Sequence, residues 1–364
     1  MTRPGCNSYS AGDMRAAVLI APETFEIREL PRPQPGSDEV LIRVTACAVC
    51  GTDLRIFRHG HARVQLPAVI GHEIVGVVEE LGAGLQDRHL PYTAGQKVMI
   101  TPGIACGLCD NCLRGRFCTD KTAIGYHHPG GFAEYVLVPA RGVLTNILPL
   151  PDPLPAGQEA ADYTPAEPLA CALNGLEQLG ELPLGGSALV VGAGAIGVMM
   201  AKLLARRGLG CIALADLSAD RLALAERLLP AATTLINNAA EDLPGRTNLI
   251  TGGTGFDLVV VACSSPEMQE QALDLAGLYG RILFFAGLPP GRSSIRFDSN
   301  RLHYKLISVH GTYGSTIYQN RLAVRLIAGG FTRGICDSRY SLEGIDDAFR
   351  NALTGSSLKT VIEI

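Results

Sequence analysis

Tryptophan is absent from this sequence of 364 residues, and all aromatic residues together make up only 5% of it. Charged residues are also scarce, at 18%, and the 31 Lys and Arg do not outnumber the 35 Asp and Glu. Because no basic excess attracts phosphate backbones or anionic lipid, we exclude nucleic-acid and membrane-surface binding as main functions. The hydrophobic content of 47% excludes whole-chain disorder and predicts two or three folded domains.

The sequence also predicts neither an export signal nor a membrane span. Residues 1–13 carry one Arg and no apolar core, so we interpret them as a short frayed extension before the first strand. The longest uncharged run, residues 182–201, contains a proline and five glycines, which suit a tight turn better than a lipid-facing helix. We therefore predict a cytoplasmic protein whose cysteines are reduced and free to bind metal.

What is present changes in pattern along the chain. Up to about residue 155, short strands rich in β-branched residues alternate with turns, which is typical of an antiparallel, partly open barrel. From about residue 160, continuous apolar runs alternate with helical segments, and this pattern predicts a parallel sheet covered on both faces. The tail from about residue 309 returns to mixed strand and helix.

A glycine-rich turn, residues 192–197, follows the apolar run Ser187–Val191 and opens a predicted helix. Gly192 suits the tight turn, Gly194 lets the backbone approach a pyrophosphate, and Gly197 lets the helix pack on the strand. The free N–H groups at the start of this helix attract phosphate oxygens. The turn therefore predicts a dinucleotide site, with a purely structural glycine turn as the alternative.

A carboxylate follows the next predicted strand, at Asp216, nineteen residues after Gly197. In that position it hydrogen-bonds the adenosine ribose hydroxyls and repels a 2′-phosphate, which favours NAD over NADP. Arg221 lies five residues further on, and a plain position on the helix face is its alternative interpretation. The predicted cofactor-binding residues are Gly192, Gly194, Ala195, Ile196, Gly197, Asp216 and Arg221.

Metal-ligating residue types occur at two predicted junctions between strand and loop. Cys50 follows one strand, and His72 and Glu73 begin the next, so a thiol, an imidazole and a carboxylate can surround one Zn²⁺ with an open position. Asp53 is placed to orient His72, and Thr52 brings a hydroxyl where a substrate proton can be relayed. A buried cysteine and a strand-edge histidine are the structural alternatives.

Four cysteines fall within thirteen residues, at Cys106, Cys109, Cys112 and Cys118. The two-residue gaps between the first three are typical of zinc thiolates. We predict a second, structural zinc here, with a metal-free reduced loop or a three-thiolate site as alternatives.

Together these motifs resemble those of the zinc-dependent medium-chain dehydrogenase/reductase family, which includes alcohol, sorbitol and threonine dehydrogenases. The resemblance extends from Met14 onward and rests on CGTD at 50–53, GHE at 71–73, the cysteine cluster, GGFAEY at 130–135, EPLA at 167–170 and VGAGAIG at 191–197. It implies an α/β fold in which a doubly wound Rossmann domain (residues 159–308) is inserted between two parts of a GroES-like, partly open β-barrel (residues 1–158 and 309–364).

The family also implies the ligands and the chemistry. A catalytic zinc is expected at Cys50, His72 and Glu167, with Glu73 alternating as a ligand, and a structural zinc at the four cysteines. The family's usual gap before the fourth cysteine is seven residues, whereas this chain has five. The implied reaction is hydride transfer between NAD(H) and an alcohol or ketone, with Thr52 as first proton acceptor, in a homodimer or homotetramer.

The resemblance is weaker at the positions that choose the substrate. Arg55 stands where many relatives carry a histidine that relays the proton. Sorbitol dehydrogenases carry Arg-Tyr where this chain has Gly314 and Ser315, and threonine dehydrogenases carry Arg at the position of Ser315. We therefore expect a small uncharged secondary alcohol (a polyol, cyclitol, aminocyclitol or diol), with Tyr313 and Ser315 in the pocket. L-Threonine or a simple secondary alcohol, and a non-catalytic protein that binds NAD and zinc, are the alternatives.

Overall fold

The computed structural model describes residues 12–364, so nearly all of the extension expected at residues 1–13 lies outside the described residues. The described chain folds around two large sheets, one of seven strands and one of six. Among residues 12–364, no helix is long and apolar enough to cross a bilayer.

The seven-stranded sheet is built from both ends of the chain. The N-terminal elements are β1 (Asp13–Ala21), β2 (Thr24–Pro31), β3 (Val40–Ala48), α1 (Gly51–His59), β4 (Glu73–Leu81), β5 (Lys97–Ile100), β6 (Gly103–Ile104), α2 (Asp110–Leu113), β7 (Thr122–Ala123), β8 (Tyr135–Val138) and β9 (Ile147–Pro149). The C-terminal elements are α9 (Ile317–Ala328), β16 (Cys336–Ser341), α10 (Ile345–Thr354) and β17 (Lys359–Glu363). The strand order is β16-β17-β3-β4-β5-β9, with β8 paired to β3, and all pairs except β16–β17 are antiparallel.

The register of three strands places residues from distant segments at one edge of this sheet. Strands β3 and β4 are antiparallel, with Ala48 opposite Glu73, so the residues that follow β3 meet those that precede β4. Strand β17 is also antiparallel to β3, with Val361 opposite Ala48. The start of β17, at Lys359, therefore reaches the same edge.

The middle of the chain forms the six-stranded parallel sheet. Its elements are α3 (Ala166–Glu177), β10 (Ser187–Val191), α4 (Ala195–Arg206), β11 (Cys211–Asp216), α5 (Ala219–Glu226), β12 (Thr234–Asn237), α6 (Leu243–Thr251), β13 (Phe256–Val261), α7 (Pro266–Leu275), β14 (Ala276–Phe284), α8 (Ser299–Tyr304) and β15 (Ser308–Gly311). The order β12-β11-β10-β13-β14-β15 is that of a doubly wound Rossmann sheet. The predicted fold class, a Rossmann sheet joined to a barrel-like GroES domain, is confirmed.

The parallel sheet includes residues on both sides of the predicted domain limit at 308. Strand β15 pairs in parallel with β14 from Ser308 to Gly311 and so extends the sheet by one strand. Residues 309–311, expected in the C-terminal part of the barrel, therefore belong to the parallel sheet. The three domain ranges themselves stay a prediction.

Helix α3 lies where the two sheets meet. Its buried residues Leu169 and Leu173 share one apolar cluster with Val75 of β4 and with Val190 of β10. Because this cluster spans both sheets, the first turn of α3, which carries Glu167, is held beside the edge that carries Cys50 and His72.

Candidate active site

Three of the predicted metal ligands come together at the sheet edge described above. Cys50 lies just after β3 at the start of α1, His72 just before β4, and Glu73 begins β4. Their ligand atoms all lie within 4.8 Å of one another. A thiol, an imidazole and a carboxylate at this spacing are the donor set of a catalytic zinc that keeps one position open, so the residues present fit that metal.

Asp53 connects two of these ligands. Its Oδ2 accepts a hydrogen bond from the backbone N–H of Cys50 at 2.9 Å, and its Oδ1 lies 3.2 Å from Nδ1 of His72. The Asp53 side chain is fully buried. Burial opposes a charge on His72, but the carboxylate of Asp53 outweighs it and raises the pKa of His72 well above its ordinary value. Asp53 therefore orients the ring so that Nε2 faces the cluster.

Glu73 forms a buried ion pair that the sequence did not predict. Both of its carboxylate oxygens lie 2.8 Å from Nζ of Lys359 in β17. The Glu73 side chain is 0% exposed and that of Lys359 is 7% exposed. Burial raises the pKa of Glu73 and the ammonium of Lys359 offsets part of that rise, so Lys359 compensates negative charge gathered at the cluster.

Glu167 is placed beside the cluster rather than in it. It is half-buried in the first turn of α3 and is not among the three residues whose ligand atoms lie within 4.8 Å. Its Oε1 accepts a hydrogen bond from Sγ of Cys171, one turn along the helix, at 3.3 Å. Burial, followed by the charge of Glu167, raises the pKa of Cys171, so this thiol stays protonated and holds the carboxylate.

The residues expected to handle the proton lie on α1. Thr52 is partly exposed, and its hydroxyl makes no hydrogen bond to another residue of the described chain. Nη2 of Arg55 lies 3.5 Å from Oγ of Ser264, in the loop after β13. The ring of Tyr126 lies between two histidines, with its centroid 5.3 Å from that of His72 and 5.7 Å from that of His61.

The four clustered cysteines are close enough to share one metal ion. All four Sγ atoms lie within 4.8 Å of one another, and Cys109 is 3.5 Å from Cys112 and 4.0 Å from Cys118. Tetrahedral zinc with Zn–S bonds of about 2.3 Å requires sulfur atoms roughly 3.8 Å apart. Backbone N–H groups of Cys112 and Thr119 lower the pKa of Cys109 to about 5, which favours the thiolate that zinc needs. The shortened gap before Cys118 therefore still fits a four-thiolate site.

The glycine turn has the geometry that each glycine was expected to supply. Gly192 has a φ of 111°, which suits glycine, and a Cβ at Gly197 would overlap the carbonyl of Gly192. Nothing lies within 4 Å of a Cβ at Gly194, where α4 begins. The backbone of this turn is therefore open to a ligand at the N-terminus of a helix that starts with Ala195 and Ile196.

Asp216 is held at the neighbouring strand end. Its Oδ2 accepts from the N–H of Ala193 at 2.7 Å and its Oδ1 accepts from the N–H of Ser218 at 2.8 Å. These two bonds orient the carboxylate beside the glycine turn. The guanidinium of Arg221 lies against the backbone of Gly355, at the end of α10, and this contact links α5 to α10. A role of Arg221 in cofactor binding stays a prediction.

The predicted pocket residues lie on one loop before α9 but in different surroundings. Tyr313 is 62% exposed, and its hydroxyl accepts from Nη1 of Arg63 at 3.2 Å. Ser315 is partly buried, accepts from Nδ2 of Asn320 at 2.9 Å and hydrogen-bonds Cys171. Ser315 is thus the nearer of the two to Glu167.

Sequence reasoning missed several residues at this site. Cys171 was within reach, because a residue four positions after Glu167 lies on the same face of a helix. Lys359 carried no signal, since it is 286 residues from Glu73 and only the pairing of β17 with β3 brings it near. Tyr126 likewise sits in no motif that the sequence singles out.

Two protein-family models match this chain. The alcohol dehydrogenase GroES-like domain matches residues 36–152, and the zinc-binding dehydrogenase model matches residues 195–329. The first covers the three clustered ligands and the four cysteines, and the second begins with α4, whose first residues lie within the glycine turn.

Relatives cover almost the whole chain. An L-threonine 3-dehydrogenase from Anaeromyxobacter dehalogenans is 31% identical over 342 residues, which are 92% of this chain and 94% of that protein. A zinc-binding dehydrogenase structure from Sinorhizobium meliloti, bound to NADP, is 29% identical with a TM-score of 0.85, over 97% of this chain and 99% of that one. The alcohol dehydrogenase from Thermus sp. ATN1 is 27% identical with a TM-score of 0.84, over 96% and 99%. This chain is thus a member of the zinc-dependent medium-chain dehydrogenase family, an oxidoreductase that acts on alcohol CH–OH groups.

Proposed function

We propose that this chain oxidises a secondary hydroxyl of a small polar molecule to a ketone, with NAD⁺ as hydride acceptor, and catalyses the reverse reaction. In the forward direction the alcohol loses a hydride to NAD⁺ and a proton to the protein, so the products are ketone, NADH and H⁺. The observation that carries the proposal is the placing of Cys50, His72 and Glu73 within 4.8 Å of one another.

Cys50 and His72 are the two ligands that we assign to the catalytic zinc in every arrangement, with a carboxylate as the third. Glu73 is supported as that carboxylate because it lies in the cluster, whereas Glu167 lies outside it and accepts a hydrogen bond from Cys171. When bound, zinc supplies Lewis acidity that lowers the pKa of the substrate hydroxyl, and the nicotinamide accepts the hydride. Lys359 and Asp53 balance and orient the ligands.

Thr52 is our choice for the first proton acceptor, because its hydroxyl is free within the described chain and stands two residues after Cys50. Arg55 cannot carry the proton onward, since a guanidinium stays charged at working pH. The contact of Arg55 with Ser264 supports a structural role for it between α1 and the loop after β13. We propose that the proton leaves through the cofactor ribose, through water, or past Tyr126 to His61.

NAD rather than NADP is the proposed cofactor, because the Asp216 carboxylate is oriented beside the glycine turn and repels a 2′-phosphate. The Sinorhizobium meliloti relative was solved with NADP. Comparing the Kd of NADH with that of NADPH by fluorescence titration tests this choice of cofactor. Equal affinity would contradict the role of Asp216.

For the substrate, we propose a secondary alcohol among polyols, cyclitols, aminocyclitols and diols, with L-threonine as the second candidate. The sequence favours the first group because Ser315 stands where threonine dehydrogenases carry an arginine, and a substrate with a carboxylate would need a cation at that position. L-Threonine is supported by relatives of that name at 28–31% identity.

We also propose a structural zinc on Cys106, Cys109, Cys112 and Cys118, and a cytoplasmic location. Ten cysteines of the described chain are free, and a four-thiolate site persists only where thiols stay reduced. A homodimer or homotetramer is proposed from the family resemblance, and sedimentation of the purified chain tests it.

Metal removal followed by a substrate panel tests the proposed function. Secondary alcohols, polyols and L-threonine are assayed by NADH absorbance before chelation, after chelation and after zinc is returned. We expect turnover to disappear and then recover. Unchanged turnover in a metal-free preparation would refute the zinc mechanism, and NADH binding without turnover on any alcohol would favour a non-catalytic protein.

A further inference from the structure

Two cations from separate segments meet at Tyr313, on the loop before α9 that carries both predicted pocket residues (residues 312–316, the substrate loop). Nη1 of Arg63 donates to the hydroxyl of Tyr313 at 3.2 Å. Nζ of Lys121 lies 4.2 Å from the centroid of the Tyr313 ring and 3.8 Å from that of Phe117. Tyr313 is thus approached by a guanidinium and an ammonium together.

The loop that carries Lys121 is locked onto the substrate loop. The ring of Phe117 packs on that of Tyr313, with centroids 5.3 Å apart. Gly314 has a φ of 64°, and a Cβ there would come within 2.6 Å of Phe117. Its carbonyl also accepts from Nδ2 of Asn174 at 2.9 Å. The ammonium of Lys121 is therefore packed against two rings that belong to two different loops.

Neither cation is paired with a carboxylate anywhere in residues 12–364. Asp120 is adjacent to Lys121 in the chain, but it pairs with Arg141 at 3.2 Å. Burial disfavours the charged form of Lys121 and lowers its pKa, and the charge of Arg63 acts in the same direction. Two like charges around one hydroxyl, one of them half-buried, leave a site that an anion would stabilise.

A short series of contacts connects this site with the proposed reaction centre. Tyr313 and Ser315 are two residues apart, so their Cα atoms are separated by at most about 7 Å. Ser315 hydrogen-bonds Cys171, and Cys171 in turn donates to Glu167 at 3.3 Å. A substrate that extends from the ligand cluster past Ser315 would therefore meet Arg63 and Lys121 beside Tyr313.

We propose that Arg63 and Lys121 form a subsite for an anionic group, a carboxylate or a phosphate, on the molecule whose hydroxyl is oxidised. This inference rests on the proposed function and narrows its substrate class. An uncharged substrate was expected because position 315 carries no cation, but cations from positions 63 and 121 occupy the neighbouring space. Arginine and lysine are the side chains that bind such groups by charge-assisted hydrogen bonds.

Matched pairs of substrates test the subsite on the zinc-loaded enzyme. One pair is 3-hydroxybutanoate and 3-hydroxybutanamide, and the other is 2-hydroxypropyl phosphate and propane-1,2-diol. We expect the anion of at least one pair to have a kcat/KM about tenfold or more above its neutral partner, as one charge-assisted hydrogen bond supplies. The pair that shows the preference distinguishes carboxylate from phosphate. A neutral partner that is used as well as its anion in both pairs would overturn the proposal.

Variants assign the preference to the two residues. In Lys121→Gln and in Arg63→Gln the ratio of kcat/KM for anion over neutral partner should fall about tenfold, with the loss mainly in KM for the anion. Lys121→Arg should retain most of the ratio. Lys97→Gln and Arg333→Gln remove the same kinds of charge at exposed positions outside the proposed subsite, so they are the matched controls. A ratio that is unchanged in both test variants would refute the assignment.

Binding gives a readout that does not depend on turnover. Butanoate and butanamide are titrated into the NADH-saturated protein by calorimetry, so that the cofactor's own phosphate site is filled. We expect butanoate to bind more tightly than butanamide, and Lys121→Gln to raise its Kd about tenfold. Equal binding of the two compounds would overturn the subsite. Absence of turnover on every alcohol would instead overturn the proposed function, while butanoate binding that weakens in Lys121→Gln would still support the subsite, since a carboxylate held by the metal alone would not respond to that change.

Discussion

The thiolate cluster (Cys106, Cys109, Cys112 and Cys118) takes its four donors from thirteen consecutive residues. The catalytic cluster (Cys50, His72 and Glu73) takes its three donors from two segments, and the ammonium that pairs with Glu73 comes from a third. Backbone N–H groups of its own loop stabilise the negative charge on Cys109. Buried side chains do the corresponding work for the catalytic cluster, through Asp53 on His72 and Lys359 on Glu73. A local site can thus be read from spacing, while a site at a sheet edge depends on strand register.

This difference predicts that damage to the two sites has different consequences. The thiolate cluster lies on a surface lobe and ties its loop together, so its loss should act on stability. The catalytic cluster lies in a sheet that many other contacts hold, so loss of a ligand there should act on chemistry. Four changes test this contrast.

Cys50→Ser should have the largest effect. Loss of the thiolate removes metal stabilisation of the transition state, which amounts to several kcal/mol, so we expect kcat/KM to fall about 1000-fold or more. The melting temperature should stay close to that of the native chain, and Cys211→Ser, in β11, is the matched control. A Cys50→Ser enzyme with full activity would refute the ligand assignment.

Lys359→Met should come next, and it should affect stability as well as chemistry. Glu73 would be left buried without its counter-ion, which costs about 3–5 kcal/mol in the free energy of unfolding. Urea denaturation measures the loss. The double variant with Glu73→Gln should recover much of it, because no buried charge then remains unpaired. If the single variant is as stable as the native chain, the ion pair does not hold this edge.

Cys109→Ser should lower stability and leave chemistry nearly intact. Loss of a structural metal belongs to the large single-site effects, so we expect about 2–4 kcal/mol less free energy of unfolding and one zinc fewer per chain. The kcat/KM of the folded protein at low temperature should stay within about twofold, as expected when a change acts on folding and not on the transition state. Zinc content, denaturation and kinetics are measured on one preparation. An activity loss as large as that of Cys50→Ser would contradict the contrast.

Asp53→Asn should have the smallest effect of the four. The amide is close in shape, but it loses the negative charge beside Nδ1 of His72, and such outer partners change metal affinity by about 10–100-fold. Zinc affinity is measured by competition with a chelator, with Asp87→Asn at an exposed position as control. An unchanged affinity would mean that the cluster orients His72 without Asp53.

Much of the fold followed from local pattern. The apolar runs of β10, β11 and β13 predicted a parallel sheet because strands buried on both faces need continuous apolar sequence. The division at residue 308 was harder to place, since β15 has the composition of an edge strand and joins the parallel sheet only by pairing with β14.

The sequence by itself determined the glycine turn and the thiolate spacing, and it predicted that Cys50, His72 and Glu73 meet, because each depends on neighbours within a few residues or on one strand end. Only the tertiary structure decided that Lys359 neutralises Glu73, that Cys171 restrains Glu167, and that Arg63 and Lys121 meet at Tyr313. Those contacts join segments far apart in the chain. Their existence depends on strand register and on the packing of loops between the two sheets, which no local pattern of residues encodes.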